Sequence, residues 1–184
     1  MSFLLYRVEV NVTEQDYIDY NKFHMLKSHY GKRQIKNLRI LVCVLLGIPT
    51  LMALIGGRFN TESFISVLPF IILFVIFQAG LVPFFGLSLK GTVLSLKKQG
   101  KMAYSPHSVI EFFEESFCET TEDNKTEHKY SAIERISIVG GKMIYIHVNN
   151  VMAYIVPINS FETGEQYSSF LGFLKTKCQN IDFY

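Results

Sequence analysis

The sequence is poor in charged residues and in cysteine. Of its 184 residues only 18% are Asp, Glu, Lys or Arg, below the usual quarter, whereas 49% are hydrophobic. An apolar content this high excludes an intrinsically disordered chain. Three cysteines are too few for a disulfide scaffold, and a net charge of +2 gives no argument for nucleic-acid binding. Composition alone does not separate an apolar soluble protein from a small membrane protein.

Charge is absent from two long stretches of the chain. Arg39 and Arg58 enclose 18 uncharged residues, and residues 63–89 are 27 more, with Gln78 the only strongly polar side chain. As helices they would be about 27 Å and about 40 Å long, against a hydrocarbon core of roughly 30 Å. Two buried core helices are the alternative, but the remaining chain is too short to cover both on every face. We therefore predict a transmembrane hairpin at 40–89, with spans at 40–57 and 63–89 and a tip at 58–62.

The basic residues indicate how this hairpin is oriented. A tip of five residues makes the spans antiparallel, so both termini lie on one side of the membrane. Nine basic residues flank that side, whereas the tip offers only Arg58 beside Glu62: they are Lys27, Lys32, Arg33, Lys36, Arg39, Lys90, Lys97, Lys98 and Lys101. The positive-inside rule places both termini in the cytoplasm, and no secretory signal peptide is expected. In that reducing compartment Cys43, Cys118 and Cys178 are expected to be free thiols.

Small residues recur along the first span and mark a face for close helix packing. They are spaced by three, three and four residues, at Gly47, Thr50, Ala53 and Gly57. Packing within the hairpin and homodimerisation both remain open. Neither span carries the deep charges that pumps and ion-coupled transporters usually keep. Two spans enclose a solute pathway only if several chains assemble.

The flanking segments predict a cytoplasmic α+β part. Residues 1–39 are expected to hold a strand at 3–12 and a helix capped by Thr13, and residues 90–101 a basic juxtamembrane helix extension ending near Gly100. In the 102–184 domain, Gly140-Gly141 and Asn149-Asn150 mark turns, and Thr163 with Gln166 forms a capping box. The strand candidates are 107–113, 117–121, 125–130, 133–139, 143–148 and 152–157.

The predicted fold class is thus a membrane α+β protein. It combines a two-helix transmembrane hairpin with a cytoplasmic antiparallel β-meander that a C-terminal α-helix closes. A pleckstrin-homology-like arrangement fits this order of elements, and a two-layer α+β sheet is the alternative.

Three short segments carry a resemblance to a known family. They are Tyr130-Ser131-Ala132-Ile133, Tyr145-Ile146, and Ile155-Val156-Pro157-Ile158-Asn159-Ser160-Phe161 before the last helix. With the two spans, they resemble the YcxB-like family of bacterial membrane proteins, whose cytoplasmic domain is pleckstrin-homology-like. The resemblance implies a multi-pass protein of the bacterial inner membrane. It implies no activity and transfers no functional residues.

Motifs for chemistry are missing from the sequence. Gly140-Gly141 lacks the spacing and the lysine of a phosphate loop, and the histidines are scattered. We therefore expect no enzyme, no catalytic residue, no cofactor and no metal. Seven acids between Glu111 and Glu127 form either a surface for a basic partner or for the chain's own juxtamembrane lysines, or, as we favour, solvated strand edges and turns.

The expected function is a non-enzymatic integral membrane protein that presents a small interaction or regulatory module at the inner membrane. The expected partners are the lipid bilayer and either a protein or a second copy of the chain, with no nucleic acid. The alternative is an oligomeric channel or transport subunit. Eight basic residues are candidates for headgroup contact or for selective binding of anionic lipid: Lys32, Arg33, Lys36, Arg39, Lys90, Lys97, Lys98 and Lys101.

Overall fold

The computed structural model describes residues 3–101, 104–149 and 152–184, with the backbone alone for His29. It divides into two compact units. One combines Met1–Tyr20 with Gly100–Tyr184, and the other is Asn21–Gln99. The chain therefore begins the first unit, forms the whole of the second, and then returns to complete the first.

The first unit contains two four-stranded sheets, with strand orders β1-β2-β3-β4 and β7-β6-β5-β8. Neighbouring strands are antiparallel, except that β8 runs parallel to β5. The strands are β1 (Leu4–Asn11), β2 (His107–Phe113), β3 (Ser116–Thr120), β4 (Lys125–Lys129), β5 (Arg135–Val139), β6 (Met143–His147), β7 (Ala153–Pro157) and β8 (Ile181–Phe183).

Strand β1 comes from the N-terminal segment and is an edge strand of the first sheet. It pairs with β2 from Leu4 to Asn11, so that Asn11 lies opposite His107. Val8 and Val10 point into the core, whereas Glu9 between them is exposed, as the two-residue period of a half-buried strand requires. The segment 1–39, which sequence analysis treats as separate, therefore supplies a strand of the domain that the C-terminal half builds.

All six predicted strands of the C-terminal half are present, and each end lies within two residues of the predicted one. Gly140 and Gly141 have φ of 57° and 60°, so the predicted tight turn between β5 and β6 is confirmed. The predicted turn at Asn149-Asn150 falls partly on Asn150, which lies outside the described residues. The predicted purely antiparallel meander is wrong at one place. Strand β8 was not predicted, because three residues show no usable alternation, and it adds a parallel pair.

Helix α5 (Gly164–Lys177) completes the core of this unit. The backbone N–H of Gln166 donates to Thr163 Oγ1 (3.1 Å), and Gln166 Oε1 accepts from the N–H of Glu162 (2.9 Å). The predicted capping box is therefore present, with its return bond one residue earlier than in the usual pattern. Phe170 and Leu174 of this helix are fully buried in the core.

The second unit consists of helices and the short turns that join them. They are α1 (Glu14–Lys27, which starts in the first unit), α2 (His29–Val42), a π-helical turn (Cys43–Gly47), α3 (Ile48–Gly56) and α4 (Thr61–Lys98). The helical stretch Tyr30–Gly56 has 27 residues and α4 has 38, with mean hydropathy of 2.4 and 2.5 in their most apolar windows. Both helices extend beyond the predicted spans.

Glycine and capping residues set the bends of this unit. Ser28 separates α1 from α2, and its Oγ accepts from the N–H of Gly31 (2.9 Å). A Cβ at position 31 would lie 2.6 Å from the carbonyl oxygen of His24, so the close approach of the two helices requires glycine. Asn60 caps α4 through Ser63 N (2.8 Å). Gly100, with φ of 69°, follows the end of α4, as predicted.

Candidate functional site: the apolar helical hairpin

The helical hairpin is antiparallel, as the short tip predicts. Gln78, the only strongly polar side chain of the second apolar run, packs against the first helix. Its Nε2 lies 3.4 Å from the backbone carbonyl oxygen of Arg39 and 3.4 Å from Cys43 Sγ. Gln78 therefore contacts the neighbouring helix of its own chain.

The small-residue stripe is divided between the helix interface and the surface. A Cβ at Gly47 would lie 3.8 Å from Phe74 Cε2, and one at Gly57 would overlap the Ser63 side chain. Thr50 is half-buried, whereas Ala53 is exposed. Gly47 and Gly57 thus border α4 within one chain, and Ala53 faces outwards.

The irregular turn of the first helix coincides with Pro49. Proline has no N–H to donate to the preceding turn, and the backbone from Cys43 to Gly47 widens to a π-helical pattern immediately before it. The Thr50 hydroxyl donates to the carbonyl oxygen of Leu46 (2.6 Å). Hydroxyl–carbonyl bonds of this kind satisfy backbone groups near a helix irregularity where water is scarce.

Large apolar side chains cover the outside of the hairpin. Only 6% of the most apolar window in the first helix and 11% of that in the second are buried. The exposed side chains include Leu45 (62%), Met52 (68%), Ile65 (67%), Ile76 (60%), Phe84 (71%) and Leu87 (70%). A continuous apolar surface of this kind marks a site of contact with a membrane or another protein.

The eight candidate basic residues are all exposed. Four lie on α2: Lys32, Arg33, Lys36 and Arg39. Three lie on the C-terminal part of α4: Lys90, Lys97 and Lys98. Because α2 and α4 are antiparallel, these seven occupy the end of the hairpin that is opposite its tip. Lys101 follows α4 and belongs to the other unit.

The seven acids of the predicted acidic stretch do not form one surface. Glu114 and Glu115 lie exposed in the β2–β3 turn, whereas Glu122 and Asp123 lie exposed in the β3–β4 turn at the opposite end of β3. The other three acids lie on β2, β3 and β4, so the structure distributes the seven charges between two turns and three strands. This arrangement fits the interpretation as solvated turns better than that of a single docking surface.

Glu119 is one of two half-buried acids in that stretch, the other being Glu111. It lies on the same face of its sheet as the buried Phe117, two residues earlier in β3. Burial raises the pKa of Glu119, while a hydrogen bond with Ser108 and the nearby His128 act in the opposite direction.

Tyr154 Oη, among the described residues, is buried with no hydrogen-bond partner.

The cysteines and histidines do not assemble into a chemical centre in the part of the chain that the structure describes. Cys118 and Cys178 are buried and Cys43 is exposed, and all three are free thiols, as predicted. Within the described ranges, no three His, Cys, Asp or Glu side chains are grouped so that they could hold a metal ion.

A groove in the helical unit is the feature that sequence reasoning missed. It has a volume of about 800 Å³ and lies between α1 and α2 on one side and α4 on the other. Lys22 and Lys90 contribute to its lining together with Leu38, Leu41, Leu81 and Phe85. Lys22 was not a candidate, because its sequence neighbourhood does not show that the chain turns back at Ser28.

Comparison with known proteins returns no match, whether with family models, with curated proteins or with solved structures. The resemblance to the YcxB-like family therefore stays a prediction.

Proposed function

We propose that the chain is a non-enzymatic integral membrane protein, whose helical hairpin holds a small interaction module at the cytoplasmic face of the inner membrane. The observation that carries this proposal is the exposed apolar surface of two helices of 27 and 38 residues. In water each exposed leucine or phenylalanine forgoes about 1.5–3 kcal/mol of burial free energy. A bilayer removes that cost for the whole hairpin at once.

The distribution of charge supports an orientation with both termini in the cytoplasm. The seven basic residues on α2 and α4 lie at the end opposite the tip, where the cytoplasmic headgroups would be. Residues 1–101 contain 12 Lys and Arg against 5 Asp and Glu, whereas residues 102–184 contain 6 against 11. The protein is thus a basic membrane anchor that carries an acidic module.

The interaction module is the unit of two sheets and one helix. Its core includes Phe112, Phe117, Ile136, Val156 and Phe170, each fully buried. Two sheets closed by a C-terminal helix favour a pleckstrin-homology-like domain, and a YcxB-like identity is part of the proposal. The module would act by binding a protein or peptide at the membrane, because tethering raises the effective concentration of the bound partner.

Packing within one chain is the role that we propose for the small-residue stripe. Gly47 borders Phe74 of the same chain, so this part of the stripe is already used inside the hairpin. The alternative, an oligomeric channel or transport subunit, draws on the same stripe and on the prolines of the spans, and it needs several chains to assemble. The approach of Gly47 to Phe74 within one chain favours the membrane anchor over this alternative.

Membrane topology can be tested with engineered cysteines. Cys118 and Cys178 are buried and would report poorly, so we place single cysteines at exposed sites in a Cys43→Ala background. Thr61→Cys lies at the tip and Glu165→Cys on α5. An impermeant maleimide should label Thr61→Cys in intact cells, and Glu165→Cys only after permeabilisation. Labelling of Glu165→Cys in intact cells would overturn the orientation.

The interaction role needs a second experiment. A proximity-labelling enzyme is fused to the C-terminus of the full chain and, as a control, to an unrelated two-span anchor of the same orientation. We expect a small set of proteins or the chain itself to be enriched by the first fusion alone. Identical labelling profiles for the two fusions would contradict the proposal.

A further inference from the structure

The groove beside α4 has the shape and lining of a binding site. Its volume of about 800 Å³ lies within the range of roughly 300–1,000 Å³ that is common for small-molecule sites. Leu38 and Leu41 from α2 face Leu81 and Phe85 from α4 across it. Most of its surface is therefore apolar, and it belongs entirely to the helical unit.

Local sequence explains why the groove is open. Ser28 separates α1 from α2, and Gly31 near the start of α2 allows the two helices to approach closely, so that Lys22 of α1 reaches α4 separately from α2. Lys22 Cε would lie 3.7 Å from a Cβ at Gly86. Because Gly86 has no side chain, the space beside Lys22 stays free for a ligand.

The polar groups of the groove favour a negative ligand. Lys22 and Lys90 are its two charged residues, and no acid contributes to its lining. Within the described residues no carboxylate oxygen lies within 4.0 Å of Lys90 Nζ. The sequence has no Asp or Glu from residue 63 to residue 110, so the local field around Lys90 is positive.

We infer that this groove binds one anionic glycerophospholipid of the membrane, with its acyl chain along Leu38, Leu41, Leu81 and Phe85 and its phosphate at Lys90 and Lys22. Leu81 and Lys90 are nine residues apart on α4, which is about 14 Å of helix and leaves room for the upper part of an acyl chain. The charge of the groove complements an anionic headgroup, and its apolar walls complement the chain. The inference rests on the proposed membrane insertion and adds a specific lipid site to it.

Native mass spectrometry of the full-length chain in detergent tests this site. Phosphatidylglycerol and phosphatidylcholine with the same acyl chains are added at equal concentration. We expect phosphatidylglycerol to be retained preferentially. Lys90→Gln should lower its occupancy about fivefold, the effect of one lysine that faces an anionic surface. Lys27→Gln, the same change on an exposed lysine that does not line the groove and is not one of the eight candidates for lipid contact, should leave occupancy unchanged.

A second pair of variants tests the apolar part of the groove. Gly86→Leu places a side chain inside it, whereas Gly91→Leu, five residues further along α4, enters open space. We expect Gly86→Leu to abolish retention of phosphatidylglycerol and Gly91→Leu to preserve it. Circular dichroism of each variant shows that the helices are intact.

Several outcomes would overturn the inference. They are equal retention of the two lipids, equal effects of Lys90→Gln and Lys27→Gln, displacement of the lipid by millimolar inorganic phosphate alone, and a dimer that occupies the groove without lipid. Failure of the proposed function is distinguishable, since it would appear in the cysteine-labelling experiment. A chain that is oriented as proposed but retains no phosphatidylglycerol contradicts the lipid site alone.

Discussion

The side-chain amide of Gln78 lies 3.4 Å from the backbone carbonyl oxygen of Arg39, on the opposite helix of the hairpin. Together with the approach of Gly47 to Phe74, this contact sets which turns of the two helices face each other. A polar contact in an apolar environment is sensitive to register, because a shifted amide would lose its partner. The hairpin thus has a defined packing register.

Replacement of Gly47 by leucine should loosen the hairpin. The added side chain points at Phe74 and forces a rearrangement, for which overpacking costs of about 1–3 kcal/mol are typical. Gly56→Leu is the matched control, because a Cβ there meets nothing within 4 Å. Thermal unfolding in detergent, followed by helical circular dichroism, should show a lower midpoint for Gly47→Leu alone. Equal midpoints for the two variants would argue against the described register.

Gly31→Ala should destabilise the bend between α1 and α2. Its methyl group would collide with the backbone of His24 and Met25, which cannot move aside as a flexible side chain can. We expect a loss of about 1–3 kcal/mol or more in the free energy of unfolding. Gly91→Ala lies in open space on α4 and should be neutral or stabilise its helix by up to about 1 kcal/mol. The two unfolding midpoints in detergent provide the comparison.

Ionisation of Glu119 should lower the free energy of unfolding as the pH rises. Burial raises the pKa of this carboxyl in the folded chain, so the unfolded chain loses its proton at a lower pH than the folded one. Between the two pKa values the folded state binds more protons, and the free energy of unfolding therefore decreases with increasing pH. Above the pKa of Glu119 in the folded chain, the carboxylate is ionised in both states. The full cost of burying its charge then lowers the free energy of unfolding.

Glu119→Gln should remove this penalty. At pH 8 the variant is expected to melt at a higher temperature than the wild type, and the difference should shrink as the pH falls towards 4 and the carboxyl becomes protonated. Glu122→Gln, in an exposed turn, is the control and should show no such trend. A Glu119→Gln variant that is less stable than the wild type at pH 8 would refute the assignment.

Val10→Ala should weaken the unit of two sheets although it lies in the N-terminal segment. Val10 is 2% exposed and belongs to the core, so the loss of two methyl groups should cost about 2 kcal/mol. Glu9→Ala, on the exposed face of the same strand, should have little effect. Amide hydrogen exchange in β2 should accelerate in Val10→Ala only. Unchanged exchange would mean that β1 does not stabilise the sheet.

Local sequence predicts the elements well where one pattern decides them. The Gly140-Gly141 turn, the cap at Thr163 and the end of α4 near Gly100 each follow from short-range conformational preferences. The two long helices are likewise predicted by local sequence, because each follows from one long apolar run. Their bounds differ from the predicted spans, since helix continues past the apolar part wherever the flanking residues allow it.

Long-range pairing could not be predicted from these patterns. The alternation of Val8 and Val10 indicates a strand but does not identify β2 as its partner. A hydrophobic period carries no information about register with a strand about 100 residues away in the sequence. The groove depends on the turn at Ser28, which brings Lys22 to Gly86 from a distant part of the sequence. Such a site can be identified only from the three-dimensional arrangement of the helices.

The pairing of β1 with β2 also has a consequence for biosynthesis. The ribosome makes Asn11 long before His107, its neighbour in the sheet. At about 5–20 residues per second, the intervening chain takes roughly 5–20 s to synthesise. For a chain inserted as proposed, β1 waits with an open edge until both membrane helices have been made and the polypeptide has returned to the same side. Closure of this sheet therefore depends on successful insertion, and a hairpin that fails to return leaves β1 without its partner strand, in a state that chaperones and proteases recognise.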